Sequence, residues 1–503
     1  MGRLKQTNTS IWAATSPDIS FPSLDGDIEA DVAVVGGGIT GLTAAYLLNK
    51  SGAKVVLLES DQIGSGVTGY TTAKITSLHT LTYSKLERTV GEEKARMYGA
   101  ANQAAIEEIA SIVHDLSIDC EFERQSAYTY ALSTEHLREI EQEVESSSRL
   151  GLPGGFVSEI DLPFDIAGAI RFDDQAMFHP RKYLIGIAQH LAENGVDIFE
   201  NTRAMTIRGS GPATVVTGSG NVVASHVVMA THFPFFDKAL YFARAFARRS
   251  YALALNIDTA PPSGMYISVD EPTRSYRPCA TLGPAGIVIG GEGHKTGQDP
   301  NTPERYEALE EWAKTHFDVS SIDYRWSAQD YVTSDGVPFA GRSHPWAKGI
   351  WVATGFKKWG LTNGTAAAMV ISDLISGAEN PWTSLYDPIR AEPLKAPVLP
   401  IKENLNVGTE FVKGRLESPA HDIDSLPPGE GAIVKVDGKK IAAYRHEDGT
   451  LSKVSAKCTH LGCIVSFNGA EKTWDCPCHG SRFDLEGKVI TGPAVKDLEG
   501  DLE

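Results

Sequence analysis

A run of glycines between an apolar strand pattern and an apolar helix pattern leaves the front of this chain few possible folds. Residues 32–35 are apolar, and Gly36, Gly38 and Gly41 follow them in the spacing G-x-G-x-x-G. Glycines at these positions allow a tight turn, a close backbone approach to a pyrophosphate and close packing of the helix on the sheet. The pattern therefore predicts an α/β layer that binds the phosphates of a dinucleotide at the start of a helix.

An acidic residue ends the second predicted strand of this layer. Glu59 follows the apolar run at 55–58 and comes 18 residues after Gly41, where a carboxylate can accept hydrogen bonds from ribose hydroxyls. Because the strand, the helix and the acid stand in register, we predict dinucleotide binding rather than a structural glycine turn. The predicted binding residues are Gly36, Gly38, Ile39, Thr40, Gly41 and Glu59.

Two later apolar runs, at 226–231 and 350–355, both end at or beside an Ala-Thr pair. Together with the segments TGYTTAKIT and SDGVPFAGR, they resemble FAD-dependent oxidoreductases of the D-amino-acid oxidase type over roughly residues 10–390. The resemblance implies that the dinucleotide is FAD. It also implies further cofactor contacts, which are Thr71 and Thr72 near the flavin or pyrophosphate, Ala204 near the adenine, and Ala230, Thr231, Gly355, Gly360 and Leu361 at or after the ends of the two runs.

Cysteine usage is concentrated at the other end of the chain. Four of the six cysteines lie in the last 46 residues, and histidines stand among them in the spacings C-x-H and C-x-x-H. Each spacing offers one thiolate and one imidazole, so two thiolates can hold one iron ion while two imidazoles hold another. The alternatives are a structural zinc site, which also takes two cysteines and two histidines, and cysteines that merely pack.

These spacings and the segment Gly492-Pro493-Ala494 resemble the Rieske [2Fe–2S] family over about residues 421–500. The resemblance implies the cluster ligands Cys458, His460, Cys476 and His479, and a disulfide between Cys463 and Cys478. It also implies that Ser481 donates a hydrogen bond to a sulfide, whereas Phe483 stands where many high-potential members carry tyrosine. We therefore expect a reduction potential below that of the respiratory members.

The order of the patterns predicts an α/β fold class, with a Rossmann-like FAD-binding domain, an inserted mixed α+β substrate domain and a small all-β Rieske domain. The predicted regions are the oxidoreductase at 1–390, a linker with room for one short helix at 391–420, and the Rieske domain at 421–503. The FAD-binding segments are about 28–80, 178–235 and 330–378, and the substrate domain is about 81–177 and 236–329. Amphipathic patterns predict helices over about 91–116, 134–149 and 178–195.

Catalytic residues are harder to predict, because no general base stands out in the sequence. The candidates are His294, Arg277 and Lys358. Arg277 and Arg274 can clamp a substrate carboxylate, or they can pair at the surface with Asp270 or Glu271. His294 either faces the flavin or is structural, and Lys358 either stabilises reduced flavin or belongs to a solvent-facing loop.

The formal net charge of −18 repels phosphate backbones and anionic lipids, so we expect no nucleic-acid partner. No apolar run approaches the roughly 18 residues that suggest a membrane-spanning helix, and residues 1–12 lack the apolar core of a secretory signal. We therefore expect a cytoplasmic protein, although an exposed disulfide would be unusual in that reducing compartment.

A flavin that accepts two electrons and a cluster that passes one at a time predict a two-to-one electron converter. The leading hypothesis is oxidation of an amine or amino acid by hydride transfer to FAD, with electrons passing through the cluster to an unidentified one-electron acceptor. One alternative is electron flow in the reverse direction. An external donor then reduces the cluster, and the cluster passes electrons to a flavin that acts as a reductase or monooxygenase. The other alternative is a non-catalytic, redox-sensing electron-carrier module.

Overall fold

The computed structural model describes residues 6–390, 398–416 and 422–500, and its strands form two large and two small sheets. Before residue 390 the strands are β1 Gln6–Thr7, β2 Ile28–Val35, β3 Val55–Leu58, β4 Lys74–Ile75, β5 Glu123–Ala131, β6 Gly154–Val157, β7 Gly168–Met177, β8 Asp197–Phe199, β9 Thr206–Gly209, β10 Ala213–Val216, β11 Asn221–Met229, β12 Ala245–Ile257, β13 Met265–Ser268, β14 Arg274–Pro278, β15 Gly286–Lys295, β16 Val319–Thr333, β17 Phe339–Arg342 and β18 Ile350–Thr354. The later strands are β19 Gly431–Val436, β20 Lys439–Arg445, β21 Leu451–Ser455, β22 Ser466–Asn468, β23 Thr473–Asp475, β24 Arg482–Phe483 and β25 Val489–Thr491.

The helices include the three that the amphipathic patterns predict. The α-helices are α1 Ile11–Thr15, α2 Ile39–Lys50, α3 Tyr83–Val90, α4 Glu92–Asp115, α5 Leu137–Arg149, α6 Pro180–Glu193, α7 Thr302–His316, α8 Gly360–Ser376, α9 Thr383–Tyr386 and α10 Val398–Leu416. Helices α4, α5 and α6 confirm the predictions near 91–116, 134–149 and 178–195. No helix within the described ranges is both long enough and apolar enough to cross a membrane.

The first large sheet is the α/β layer that the glycine motif predicts. Its central order is β17-β18-β11-β2-β3-β8, and the five strands from β18 to β8 pair in parallel. Strands β3 and β18 are buried along their whole length, as a parallel sheet with both faces covered requires. Alternate residues of β2 serve different cores: Val32 and Val34 pack on the side of α2 and α8, while Ala33 and Val35 pack on the opposite side.

The second large sheet has ten strands and is mostly antiparallel, in the order β1-β16-β12-β15-β14-β13-β5-β7-β4, with β6 beside β7. Its 15-residue strand β16 pairs with β12 along most of its length. The far end of β16 is still paired with β12, and it also forms an isolated bridge from Val332 to Phe356, just after β18 of the parallel sheet. The far end of β16 therefore connects the second sheet to the carboxyl edge of the first.

The C-terminal region contains two small antiparallel sheets, β19-β20-β21 and β22-β23-β24-β25. Before them lies α10, whose 19 residues exceed the short helix expected in the linker. The Lys295 ammonium lies 2.6 Å from the Glu403 carboxylate, and the Asn404 amide donates to the Ala243 carbonyl at 3.0 Å. These contacts hold α10 against the second large sheet. Residues 391–397 and 417–421 of the expected linker region lie outside the described residues.

Candidate functional site

The glycine turn lies at the carboxyl end of β2, where three elements meet. Gly36 has a φ of +113°, and a Cβ atom there would come within 2.5 Å of the Ala230 carbonyl oxygen at the end of β11. A Cβ atom at Gly41 would collide with the Gly36 carbonyl oxygen. Gly38 is the N-cap of α2, and as a glycine it has no side chain with which to cap the helix. Only glycine lets β2, β11 and α2 approach so closely, and it leaves the backbone at the helix start accessible to a phosphate.

The predicted ribose-binding acid lies beside this turn. Glu59 Oε2 accepts a hydrogen bond from the Gly37 N–H at 2.7 Å, and its Oε1 accepts one from the Asp61 N–H at 3.0 Å. Burial raises the pKa of Glu59, and these two backbone hydrogen bonds oppose the effect. The carbonyl of Glu59 accepts from the Thr202 N–H at 2.8 Å, which brings the buried Ala204 to the same edge of the sheet.

The predicted threonine segment joins the start of α2 to the second sheet. Thr68 Oγ1 accepts a hydrogen bond from the Ile39 N–H at 3.2 Å, and Thr71 and Thr72 follow that turn. The Thr72 methyl group lies 3.2 Å from the Cβ position of Gly290 in β15. The segment therefore connects the glycine turn to the glycine-containing part of β15.

Helix α8 and the loop before it form the opposite wall. Gly360 and Leu361 begin α8, which packs so closely on α2 that a Cβ atom at Gly364 would lie 2.6 Å from Thr40 Oγ1. Gly355 has a φ of +82°, and a Cβ atom there would collide with a side chain of β16. The glycines therefore keep the loop close to β16 and the helix close to α2.

These segments lie around the carboxyl edge of the parallel sheet, the usual place for a ligand in an α/β fold, and together they form the candidate FAD cleft. The structure brings together the glycine turn, the acid, the threonine segment, the end of β11 and the start of α8. The steric requirement for glycine at Gly36 and Gly41, and a glycine at the N-cap of α2, fit a bound dinucleotide such as FAD. The assignment of each residue to a particular part of the cofactor stays a prediction.

Two of the three catalytic candidates are held by protein groups. The Arg277 guanidinium donates hydrogen bonds to the backbone carbonyls of Ala73 at 2.8 Å and Phe178 at 3.2 Å. Part of the guanidinium is therefore already hydrogen-bonded within the protein. His294 has both ring nitrogens engaged, one at 2.9 Å from the Tyr251 hydroxyl and the other at 2.9 Å from a carbonyl. These contacts favour structural roles for both residues.

The proposed partner of Arg277 in a carboxylate clamp is also occupied. Arg274 is buried and pairs with Glu292 at 2.5 Å, rather than with Asp270 as the sequence suggested. Strand pairing explains this choice, because Arg274 in β14 lies opposite Gly291 in β15, next to Glu292. Glu292 already neutralises the Arg274 guanidinium, so Arg274 does not need a substrate carboxylate as a partner.

Lys358 differs from the other candidates because its side chain is exposed. Its Nζ lies 2.9 Å from the Cβ position of Gly293 in β15. Desolvation by the surrounding protein lowers the pKa of the Lys358 ammonium, and the nearby Arg248 lowers it further. A cation that is enclosed by protein and still accessible lies in a cleft, between the loop at 355–359 and strand β15.

The second site contains four groups that suit a metal cluster. Cys458 and Cys476 are buried, unbridged thiols, and the hydrogen bond between them lowers the pKa of Cys458 and raises that of Cys476. The rings of His460 and His479 lie 5.0 Å apart. Their buried Nδ1 atoms have no hydrogen-bond partner within the described residues. Two thiols and two unpartnered imidazole nitrogens fit the asymmetric ligation of a Rieske cluster.

The remaining cysteines form the expected disulfide, Cys463–Cys478. Its sulfurs lie within 4.8 Å of the Cys476 sulfur, so the bridge ties the two ligand loops together beside the metal site. Ser481 is buried, accepts a hydrogen bond from the Ala494 N–H at 3.0 Å and hydrogen-bonds to Cys458. Phe483 is fully buried in the small core and offers no hydroxyl group.

The two sites meet at a surface that the sequence did not indicate. The Tyr331 hydroxyl in β16 donates a hydrogen bond to the His479 carbonyl at 3.1 Å, and the Gln329 amide donates to the Gly480 carbonyl at 2.8 Å. The Phe242 ring lies 5.2 Å from the ring of His479. The only sequence signal for these residues was a polar Gln-Asp-Tyr stretch within an otherwise buried strand, which is too common to predict an interface.

Comparisons with known proteins agree with both sites. The family model described as FAD dependent oxidoreductase matches residues 31–374, and the model described as Rieske [2Fe-2S] domain matches residues 418–500. A protein of Bacillus subtilis (strain 168), named as a Rieske 2Fe-2S iron-sulfur protein, YhfW, is 40% identical over 98% of both chains.

More distant relatives resemble the front of the chain. Gamma-glutamylputrescine oxidoreductase of Escherichia coli (strain K12) is 26% identical over 74% of this chain and 90% of its own length. The crystal structure of glycine oxidase from Geobacillus kaustophilus superposes with a TM-score of 0.61 at 18% identity, covering 72% of this chain and 99% of that one. The latter shows the shared fold. The chain therefore belongs to the FAD dependent oxidoreductase family and carries a C-terminal Rieske [2Fe-2S] domain.

Proposed function

We propose that this protein oxidises a small amine or amino acid at FAD and passes the electrons one at a time through its own Rieske cluster to an external acceptor. The relatives named for oxidation of gamma-glutamylputrescine and of glycine support the substrate class. The presence of both cofactor regions in one chain supports the electron route.

One observation carries the route. A four-residue stretch of β16, residues 329–332, contacts the loop that closes the FAD cleft and also the loop that carries His479. On one side, the Lys357 N–H donates to the Tyr331 carbonyl at 3.0 Å and the Lys358 N–H donates to the Asp330 carboxylate. On the other side, the Tyr331 hydroxyl donates to the His479 carbonyl. A shared strand of this kind is what electron exchange between the two cofactors needs.

Bound FAD supplies a hydride acceptor, and a bound [2Fe–2S] cluster supplies a one-electron site. The chain's own groups bind and orient. In this proposal the glycine turn and Glu59 hold the dinucleotide, and the N–H groups at the start of α8 face the ring system. Cys458, His460, Cys476 and His479 hold the iron ions.

The chain also offers a charged group to the substrate cleft. Lys358 faces Gly293 of β15, and its Nζ occupies the space above the sheet that a side chain at that position would need. A cation in this position stabilises negative charge that develops in the cleft during oxidation. Lys358 is therefore the catalytic candidate that the geometry favours most. His294 and Arg277 instead make structural hydrogen bonds within the second sheet and its neighbouring segments.

The test is an anaerobic stopped-flow screen of amines, N-methyl amines and amino acids. The expected result is bleaching of the flavin absorbance first and of the cluster absorbance second. If only an external reductant works, and the cluster is reduced before the flavin, the reverse direction replaces this proposal. If no small molecule bleaches the flavin, the chain is a redox-sensing or carrier module instead.

A further inference from the structure

A single buried residue connects the two cofactor regions, through its backbone on one side and its side chain on the other. Tyr331 accepts a hydrogen bond through its carbonyl from the Lys357 N–H of the FAD-side loop, at 3.0 Å. Its hydroxyl lies 3.1 Å from the His479 carbonyl and 3.2 Å from the Gly492 carbonyl of the cluster-side loops. Tyr331 is fully buried. One residue therefore spans the gap between a loop of the flavin cleft and a proposed cluster ligand.

The surroundings of Tyr331 leave it little freedom to move. Its ring lies 4.4 Å from the Phe233 ring and 4.9 Å from the His232 ring, both of which follow β11 at the edge of the cleft. His232 in turn lies 3.1 Å from the Asp330 carboxylate. The Tyr331 ring contacts two other rings, and the hydroxyl and the backbone carbonyl of the residue are both hydrogen-bonded. These contacts restrict Tyr331 to one position.

The cluster loop approaches β16 and β12 too closely for a mobile contact. A Cβ atom at Gly480 would collide with the Ala247 side chain in β12, and the Gln329 amide donates to the Gly480 carbonyl at 2.8 Å. On the neighbouring loop, the Gln298 amide donates to the Pro477 carbonyl at 3.1 Å. In this contact, the backbone of the loop at 476–481 packs against side chains of β12 and β16, and Tyr331 is one of them.

We propose that Tyr331 is a positioning residue that fixes the His479 loop against the FAD-side loop and thereby sets the rate of electron transfer between flavin and cluster. The proposal rests on the proposed function. Each transfer moves one electron from reduced FAD to one ferric ion, which becomes ferrous. An external one-electron acceptor takes that electron before the second transfer, and the flavin releases its proton to solvent as it returns to the oxidised form.

The test substitutes Tyr331→Phe, which removes the hydroxyl and keeps the ring. The control is Tyr276→Phe, because Tyr276 is equally buried in the same sheet and donates to the Pro262 carbonyl at 2.9 Å, away from the cluster. After light-driven reduction of the flavin with a sacrificial donor, cluster reduction in Tyr331→Phe should be about fivefold slower than in the wild type, which corresponds to about 1 kcal/mol in the barrier. The control variant should match the wild type.

A second measurement does not depend on electron transfer. Amide hydrogen exchange over residues 476–481 should be faster in Tyr331→Phe and unchanged in Tyr276→Phe, because the His479 carbonyl has lost its donor. A Gln329→Leu variant, which removes the neighbouring donor to Gly480, should change both measurements in the same direction. Electron transfer within twofold of the wild type in both cluster-side variants would overturn the proposal.

The light-driven design separates this proposal from the proposed function. If no amine reduces the flavin but light-driven transfer still slows in Tyr331→Phe, the substrate assignment fails and the role of Tyr331 stands. If amines reduce the flavin and transfer is unaffected in the variants, the substrate assignment stands and the role of Tyr331 is wrong.

Discussion

At the scale of single residues, hydrogen-bond satisfaction distinguishes the proposed histidine ligands from the candidate His294. His294 uses both ring nitrogens within the protein, whereas His460 and His479 each keep a buried Nδ1 without a hydrogen-bond partner in the described part of the chain. An unpartnered buried nitrogen is costly unless something binds it. Two such nitrogens, in the same two loops as two buried, unbridged thiols, therefore indicate a cluster more strongly than residue identity alone.

Backbone conformation defines the first residue-scale prediction. Gly36 and Gly52 both have positive φ, but only Gly36 has a neighbour that a Cβ atom would strike. We expect Gly36→Ala to abolish flavin retention, because β2 and β11 must separate. Gly52→Ala should retain flavin and cost about 1 kcal/mol of stability. The flavin content of purified protein checks both, and equal retention in the two variants would show that the close approach to Ala230 is not required.

The second residue-scale prediction concerns the hydrogen bond from Ser481 to Cys458. Removing it in Ser481→Ala should lower the reduction potential of the cluster, because the donor stabilises the more negative reduced form. A hydrogen bond of about 1 kcal/mol corresponds to roughly 40 mV for one electron. Ser452→Ala, whose hydroxyl contacts His446 at 2.8 Å, is the control in the same domain. A redox titration in which both variants match the wild type would contradict the assigned role.

At the scale of elements, buried charges join the small β22–β25 sheet to the large sheet. Arg249 of β12 is 1% exposed and lies 3.9 Å from the carboxylates of Asp475 and Glu471. Arg482 of β24 pairs with Asp475 at 3.0 Å. Two cations and two anions thus share one buried region, and the Tyr306 hydroxyl donates to Glu471 at 2.9 Å. The Rieske region is held by electrostatics as well as by Tyr331.

Disrupting this group should weaken the contact between the sheets. We expect Arg249→Met to lower the free energy of unfolding by about 1–3 kcal/mol, less than for an unpaired buried charge because Arg482 still faces Asp475. The matched variant Arg149→Met removes the exposed pair with Glu87 and should cost less than about 1 kcal/mol. Denaturant unfolding followed by cluster absorbance measures both. Equal losses would show that the buried group does not stabilise the contact.

The same buried charged residues predict that the stability of the protein falls at acidic pH. Burial alone would raise the pKa of Asp475, but Arg482 and Arg249 outweigh it and hold that pKa below the usual value. A depressed carboxylate pKa adds stability above the unfolded-state value of about 3.9 and loses it as the pH falls through the lower folded value. We therefore expect the contribution of Asp475 to be constant from neutral pH to about pH 5 and to disappear at still lower pH. A wild-type minus Asp475→Asn difference that is constant down to pH 2 would contradict this.

Element prediction from sequence succeeded where periodicity was strong and failed where an element depends on its neighbours. Helices α4, α5 and α6 follow from amphipathic patterns. Helix α10 did not stand out, because its segment contains prolines and no sustained apolar stripe. Its contacts through Glu403 and Asn404 belong to residues more than a hundred positions away, and no local pattern reports them.

At the scale of the whole molecule, one chain carries two cofactor regions that share strand β16. The family comparisons place FAD binding and cluster binding in separate parts of the sequence. The structure brings the carboxyl edge of the parallel sheet and the histidine-bearing loops to the same side of the second sheet. The two regions are therefore in direct contact through β16 and are not connected by the linker alone.

Because the two cofactors have separate sets of binding residues, we expect them to load independently although the two regions are in contact. Protein produced with iron should contain about one FAD and about two iron ions per chain, and its reduced cluster should give the low average g-value of imidazole-bound iron. Protein produced without iron should retain FAD but lack that signal, because the glycine turn and Glu59 share no residue with the cluster ligands. Elemental analysis, flavin absorbance and electron paramagnetic resonance check this outcome. Loss of FAD together with iron would indicate that the two sites fold as a coupled pair.

The amino-acid sequence by itself determined the chemistry that depends on short spacing: a glycine turn between a strand and a helix, and paired Cys-His loops for iron. Short spacing suffices there because neighbouring residues in the chain are also neighbours in space. Only the tertiary structure decided which cations and histidines are free, since the Arg274–Glu292 pair and the contacts of His294 depend on strand register. Only the tertiary structure also decided that Tyr331 meets His479, 148 residues away in the chain, because packing of separate sheets creates contacts that no local pattern encodes.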